Sequence, residues 1–279
     1  MTRINLPRPL IVFAYAITWG LISFASYPSP AWAQSSRLVN TTPRSFPRQL
    51  MPLLLAKEDD LDFTSDGRSG NRGGGGSRSN CPRLEPPLTA LIPTSNWGTT
   101  VAERPTFWFY VPYSPKQASA GEFVLQDEER NDIYRVPFTL PQTPGFVSFK
   151  IPDTKEPLEV DKWYRWYFNV YCVKEEEAGQ SSILHRQSSS PVFAQGWVQR
   201  ITLTPALELQ LNAAKPREDK VYAANLIWFD ALAHLANLRL TNSPQVTDED
   251  WQKLLQTKGV NLEFPNQEPM VGSVRELGI

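Results

Sequence analysis

From Leu88 to Thr202 the chain runs in short apolar or aromatic stretches, each cut off by proline, glycine or clustered charge. That punctuation predicts an all-β region. Seven strands are expected: Leu88–Ile92, Thr106–Val111, Glu122–Asp127, Asp132–Phe138, Phe146–Ile151, Trp163–Val173 and Val192–Thr202. Glu128-Glu129-Arg130-Asn131 reads as a hairpin turn, and Pro141, Pro144-Gly145 and Pro152-Asp153 close other segments. Strands of this number and spacing fit an immunoglobulin- or fibronectin-like β-sandwich.

The sixth expected strand is the most informative. Its alternation puts Tyr164, Trp166, Phe168, Val170 and Cys172 on one apolar face, which is the core side. Leu158 precedes Tyr164 by six residues, a spacing that resembles the tyrosine corner of fibronectin type III domains, where the tyrosine hydroxyl bonds back to the loop backbone. The opposite face carries Trp163, Arg165, Tyr167, Asn169 and Tyr171. Rings alternating with hydrogen-bonding groups can stack on sugars or peptides, or they can be buried under another layer. The C-terminal helices are the expected cover in that second case.

After Thr204 the period changes. Thr204 and Pro205 suit the cap and first position of a helix reaching about Ala214. A longer helix is expected from about Glu218 to Arg239, with Val221, Ala224, Trp228, Leu232, Leu235 and Leu238 on one stripe. Thr247 with Asp250 resembles a capping box and opens a third helix carrying Trp251, Leu254 and Leu255, stopped at Gly259.

Upstream of the strands the pattern is lost. Gly67 to Ser79 mixes arginine and serine with four consecutive glycines, a composition that predicts a flexible coil. The expected organisation is a signal peptide at 1–33, a disordered Gly/Arg-rich linker at 34–82, a β-sandwich at 83–203, a helical region packed on it at 204–265, and a tail at 266–279.

The leader reading rests on Arg3 and Arg8, an apolar run from Leu10 to Ala25, Pro28-Ser29-Pro30, and Ala31-Trp32-Ala33 as an A-x-A cleavage site. A membrane-spanning helix needs about 20 apolar residues, and the cleavage site is what favours removal over a retained anchor. The expected product is exported, periplasmic or secreted, with no integral membrane segment after cleavage. Removing Arg3 and Arg8 from the 28 basic residues leaves 26 against 29 acidic, a net charge near −3. That balance argues against nucleic acid or an anionic membrane as the main partner.

Cys81 and Cys172 are the only cysteines, and in an oxidising compartment an even count reads first as a disulfide. Two buried free thiols are the alternative. With His185 and His234 as the only histidines, no metal-ligand spacing emerges, and no cofactor is expected.

The titratable residues form no catalytic constellation in the sequence. His234 follows Asp230 by four positions, so the two can share a helix face, but no G-x-S-x-G turn accompanies them. His185 lies in a Ser/Gln-rich loop. Glu103, Glu122, Asp127 and Glu128 sit at strand ends, where carboxylates are ordinary, and Glu175-Glu176-Glu177 reads as a solvated loop tip. Gly73 to Gly76 lacks the Lys-Ser/Thr of a phosphate loop.

Longer stretches resemble one family. They are the Gly/Arg segment running into Cys81-Pro82; Leu88-Thr89-Ala90-Leu91-Ile92-Pro93; Ala102 through Pro112; and Glu122 through Glu128. Tyr164-Arg165-Trp166-Tyr167-Phe168 through Cys172, Gly196-Trp197-Val198-Gln199-Arg200 and Ile227-Trp228-Phe229-Asp230-Ala231-Leu232 continue the likeness. Over roughly residues 67 to 265 the chain resembles an uncharacterised exported family found mainly in cyanobacteria, domain of unknown function nine-twenty-eight. The resemblance implies export and this domain order, and it implies no activity, ligand or catalytic residue.

The functional expectation is a non-catalytic cell-envelope binding or protein-interaction module, whose partner is an envelope protein or glycan. Its contact residues would be Trp163, Arg165, Tyr167 and Tyr171, joined by Trp97 and Trp197 as loop aromatics. The rival is a hydrolase acting on envelope glycan or peptide through Asp230 with His234, or through a carboxylate such as Glu103.

Overall fold

The computed structural model describes residues 61–76, 79–173, 190–264 and 268–277. The leader, the arm up to residue 60 and the stretch 174–189, which carries His185 and the glutamate tip, lie outside the described residues.

The fold is mostly β, with four helices toward the C-terminus. All seven expected strands form. They are β2 (Thr89–Ala90), β4 (Thr106–Val111), β5 (Ala118–Gln126), β6 (Asp132–Thr139), β7 (Gly145–Lys150), β8 (Trp163–Cys172) and β9 (Val192–Arg200). Four more complete the sheet: β1 (Asn71–Gly75), β3 (Trp97–Thr100), β10 (Met270–Ser273) and β11 (Arg275–Glu276). The order is β10-β7-β4-β2-β1-β9-β8-β5-β6-β11, with β3 on β9. The two ends of this path, β10 and β11, are neighbours in the chain with only Val274 between them. The sheet therefore wraps round into a nearly closed, barrel-like form rather than two free-edged layers.

Inside, β4 and β7 face β5 and β8. Phe109 stacks on Phe168 at 3.9 Å and Phe123 on Phe149 at 4.1 Å between ring centroids. Phe107, Phe138 and Trp166 are also fully buried there. Each ring pair adds about 0.5–1.5 kcal/mol beyond area burial. The interior is a core of packed rings.

Both seams are made by segments that sequence pattern alone assigned to linker and tail. The glycine run was expected to be a flexible coil, and instead it forms β1, pairing with β2 and β9. Gly74 N donates to Leu88 O at 2.6 Å. A Cβ on Gly75 would lie 2.9 Å from Phe193 Cζ, so glycine here permits close approach to a ring. Arg72 sends its guanidinium to the carbonyls of Ile92, Val260 and Asn261. Those bonds hold β1 to the turn that follows the last helix. Further upstream, Phe63 is buried, its N donates to Lys258 O at 2.9 Å, and Asp62 pairs with Lys258 at 2.6 Å. Gly259, at φ 81°, leaves the space: a Cβ there would fall 2.3 Å from Thr64 N. The expected tail closes the other seam, with β10 parallel to β7 and β11 antiparallel to β6.

The helices are α1 (Pro205–Ala214), α2 (Glu218–Ala224), α3 (Trp228–Leu240) and α4 (Asp248–Gln256). Thr204 caps α1, and Thr247 with Asp250 forms a complete capping box on α4. The single long helix expected from Glu218 to Arg239 is interrupted. Leu226 takes a left-handed conformation, φ 57°, which no helix can continue through. The break lets Trp228 turn inward, where it is fully buried and its indole N–H donates to Leu91 O at 2.8 Å. α3 packs on β3, β4 and β10. α4 places Trp251 against Trp108 and Phe146. The outer face of the β4–β7 side is thus the one the helices cover.

Candidate functional site

β8 alternates as the sequence predicts: Tyr164, Trp166, Phe168, Val170 and Cys172 are buried, and Trp163, Arg165, Tyr167, Asn169 and Tyr171 are half-buried on the outside. At the start of the strand the hydroxyl of Tyr164 accepts a hydrogen bond from Glu159 N at 3.0 Å, and Leu158 is buried beside it. This is the corner expected from their spacing. At the other end Cys172 is bonded to Cys81. The strand is therefore anchored at both ends, and the residues on its outer face have fixed positions.

Register extends that face across three strands. Trp163, Arg165, Tyr167 and Asn169 lie beside Gln199, Trp197, Gln195 and Phe193 of β9. On the other flank Arg165, Tyr167 and Asn169 lie beside Gln126, Val124 and Glu122 of β5. Trp97 was expected in a loop, and Trp197, grouped with it as a loop aromatic, falls within the expected strand Val192–Thr202. Both are strand residues, aligned with one another across the parallel β3–β9 pair.

Helical cover was one of the two alternatives for this face, and the helices pack instead on β3, β4 and β10. One end is covered by the N-terminal segment. Trp97 Nε1 donates to Asp66 O at 2.8 Å and Trp197 Nε1 to Ser69 O at 2.9 Å. Between those carbonyls Arg68 lays its guanidinium 3.6 Å from the Trp163 ring centroid and 4.9 Å from that of Trp197, and it pairs with Glu128 at 3.5 Å. Trp163 thus serves an internal contact. Arg68 escaped sequence reasoning because a lone arginine among glycines and serines has no periodicity to reveal its target.

Beyond Arg68 the face continues with Arg165, whose Nη2 donates to Gln195 Oε1 at 2.8 Å. Its guanidinium sits 5.0 Å from the Tyr167 ring and 5.7 Å from the Trp197 ring. Tyr167 in turn meets Phe193 at 6.2 Å. Next to them Arg135 bonds Glu122 and Asp132, both at 2.8 Å. Val124 is buried beneath this polar layer although it points away from the core.

Among the described residues, the candidates for catalysis have partners of other kinds. His234 Nε2 hydrogen-bonds with Pro216 O at 3.0 Å and has Glu218 Oε2 3.1 Å away, so it faces these residues rather than Asp230. Asp230 Oδ2 instead accepts from Val101 N at 3.1 Å. Desolvation pushes its carboxyl up to about 6, against hydrogen bonds from Thr100 and neighbouring backbone that pull the other way. Its role is to hold the first turn of α3 to the end of β3. Glu103 is exposed and pairs with Arg200 at 3.0 Å. Asp127 accepts from Asn131 N at 2.7 Å within the hairpin turn.

A family model with the description Domain of Unknown Function (DUF928) matches residues 73–270. No curated protein matches, and no solved structure matches.

Proposed function

Because this chain belongs to the Domain of Unknown Function (DUF928) family, whose description carries no activity, we propose its function from its own surface. The protein is a non-catalytic binding module that engages an envelope glycan or protein through the outer face of β8 and β9. The observation that carries this reading is the Arg165–Tyr167–Phe193–Gln195 cluster. It combines rings and polar groups on a strand anchored at both ends, on the side of the sheet the helices leave uncovered. An anchored platform loses little entropy on binding. The A-x-A sequence at Ala31-Trp32-Ala33 supports export as the setting in which it works. A fibronectin-like sandwich, its seams joined by added strands, is supported by the Tyr164 corner and by the ring stacks between the two inner faces.

The test is retention of the tagged exported chain on its native cell envelope, comparing wild type with Tyr167→Ser. Retention should fall at least tenfold with the unfolding midpoint unchanged. Equal retention by a folded variant overturns the reading.

A further inference from the structure

Resting on that reading, we infer that the ligand is a carboxylate-bearing glycan and that Arg165 is the residue that selects it. The argument begins with charge. The outer face of β8, β5 and β6 carries Arg165 and Arg135, and Arg68 of the N-terminal segment lies across one end of it; Arg68 is matched by Glu128, and Arg135 by Glu122 and Asp132. Arg165 has none among the described residues. Its one hydrogen bond goes to a neutral amide, Gln195, and its buried Nε takes no partner. A guanidinium offers five N–H donors in a planar fork that fits a carboxylate in two-point contact. The structure uses one of them.

The surroundings of that charge decide what kind of molecule carries the carboxylate. Tyr167 lies against Arg165 and meets Phe193, and Gln195 and Asn169 supply amides on the same face. Rings stack on the C–H faces of sugars, and amides bond hydroxyls. Recognition of an extended peptide by strand addition would need a free sheet edge. Here the strand path ends in β10 and β11, of four and two residues, and α3 packs on β3, so no long edge is offered. The ring-bearing face beside an unmatched guanidinium is left as the recognition surface, and its complement is an acidic sugar chain.

The experiment uses the exported chain, with its disulfide confirmed, and two probes: oligogalacturonate and the same oligomer as its methyl ester. Binding is read by titration calorimetry and by tryptophan fluorescence. Wild type should bind the acid at least tenfold more tightly than the ester, and 0.5 M salt should erase most of that difference. Arg165→Gln should bind both like the ester, and Arg165→Lys, which keeps charge and loses the fork, should fall between. Equal affinity for acid and ester in wild type, binding of neither, or a preference surviving in Arg165→Gln overturns the inference. So does tighter binding of polyphosphate than of oligogalacturonate. If any of these occurs while envelope retention still depends on Tyr167, only the ligand class is wrong. If Tyr167→Ser also leaves retention unchanged, the face itself is not the site.

Discussion

Phe63 and Trp228 meet edge to face, with ring centroids 5.0 Å apart. One lies in the polar stretch ahead of the glycine run, and the other opens α3. Their contact makes the N-terminal segment part of the core, since Phe63 retains only 6 % of its accessible surface. Emptying such a site by Phe→Ala costs about 3–5 kcal/mol. Phe63→Ala should therefore lower the free energy of urea unfolding by about 3 kcal/mol. An unchanged midpoint would mean that residues 61–66 do not belong to the cooperative unit.

The family match runs from 73 to 270, and both limits cut through strands: β1 starts at Asn71, and β10 starts at Met270. A fragment with those ends lacks Phe63, Arg72 and β11 and leaves both seams open. It should bind a hydrophobic dye and unfold at lower denaturant than a fragment spanning 61–277. Matching midpoints for the two fragments would show that the closing segments add nothing to stability.

Cys81 and Cys172 are joined across 91 positions of chain. Closing a loop of that size restricts the unfolded chain, an effect of about 4–5 kcal/mol in the chain-entropy model and typically 2–4 in practice. The double variant Cys81→Ser, Cys172→Ser should be destabilised by about 3 kcal/mol. Intact mass of the wild type should rise by two hydrogen atoms on reduction, and a count of two free thiols before reduction would refute the bridge.

Asp230 gives stability a definite pH dependence. Its folded pKa of about 6 stands above the ordinary value of 3.8, so the folded state holds the proton more tightly than the unfolded state does. The group costs nothing below pH 4, and its cost grows as pH rises through 4 to 6 and then levels off. At about 1.4 kcal/mol per pH unit the full effect is on the order of 3 kcal/mol. Asp230→Asn should flatten that part of the stability profile measured by urea unfolding across pH 4 to 7. A wild-type slope identical to that of the variant would remove Asp230 as its source.

How far these features were legible depends on the range over which each is determined. The sequence by itself determined the strands that alternate, the caps at Thr204 and Thr247, and the inward and outward faces of β8. Each follows from neighbours within a few residues, where the period of two or the side chain at a cap decides the local geometry. The corner at Leu158 and Tyr164 was readable for the same reason, and pairing Cys81 with Cys172 needed only a count. The outer-face residues Trp163, Arg165, Tyr167 and Tyr171 were legible as a set, but what covers them was not.

Only the tertiary structure decided that the glycine run is a strand, because its partners at Leu88 and Phe193 lie far away in the chain and it carries no side-chain pattern of its own. It also decided that the tail joins β7 to β6, and that the expected long helix breaks at Leu226 so that Trp228 can enter the core. The same holds for Arg68, which lies on Trp163 because folding brings a lone cation beside three tryptophans. Likewise Asp230 turns to the backbone of Val101 and His234 to that of Pro216, although their spacing in the helix would let them meet. In each case the favourable partner is distant in sequence, so local periodicity carries no record of it.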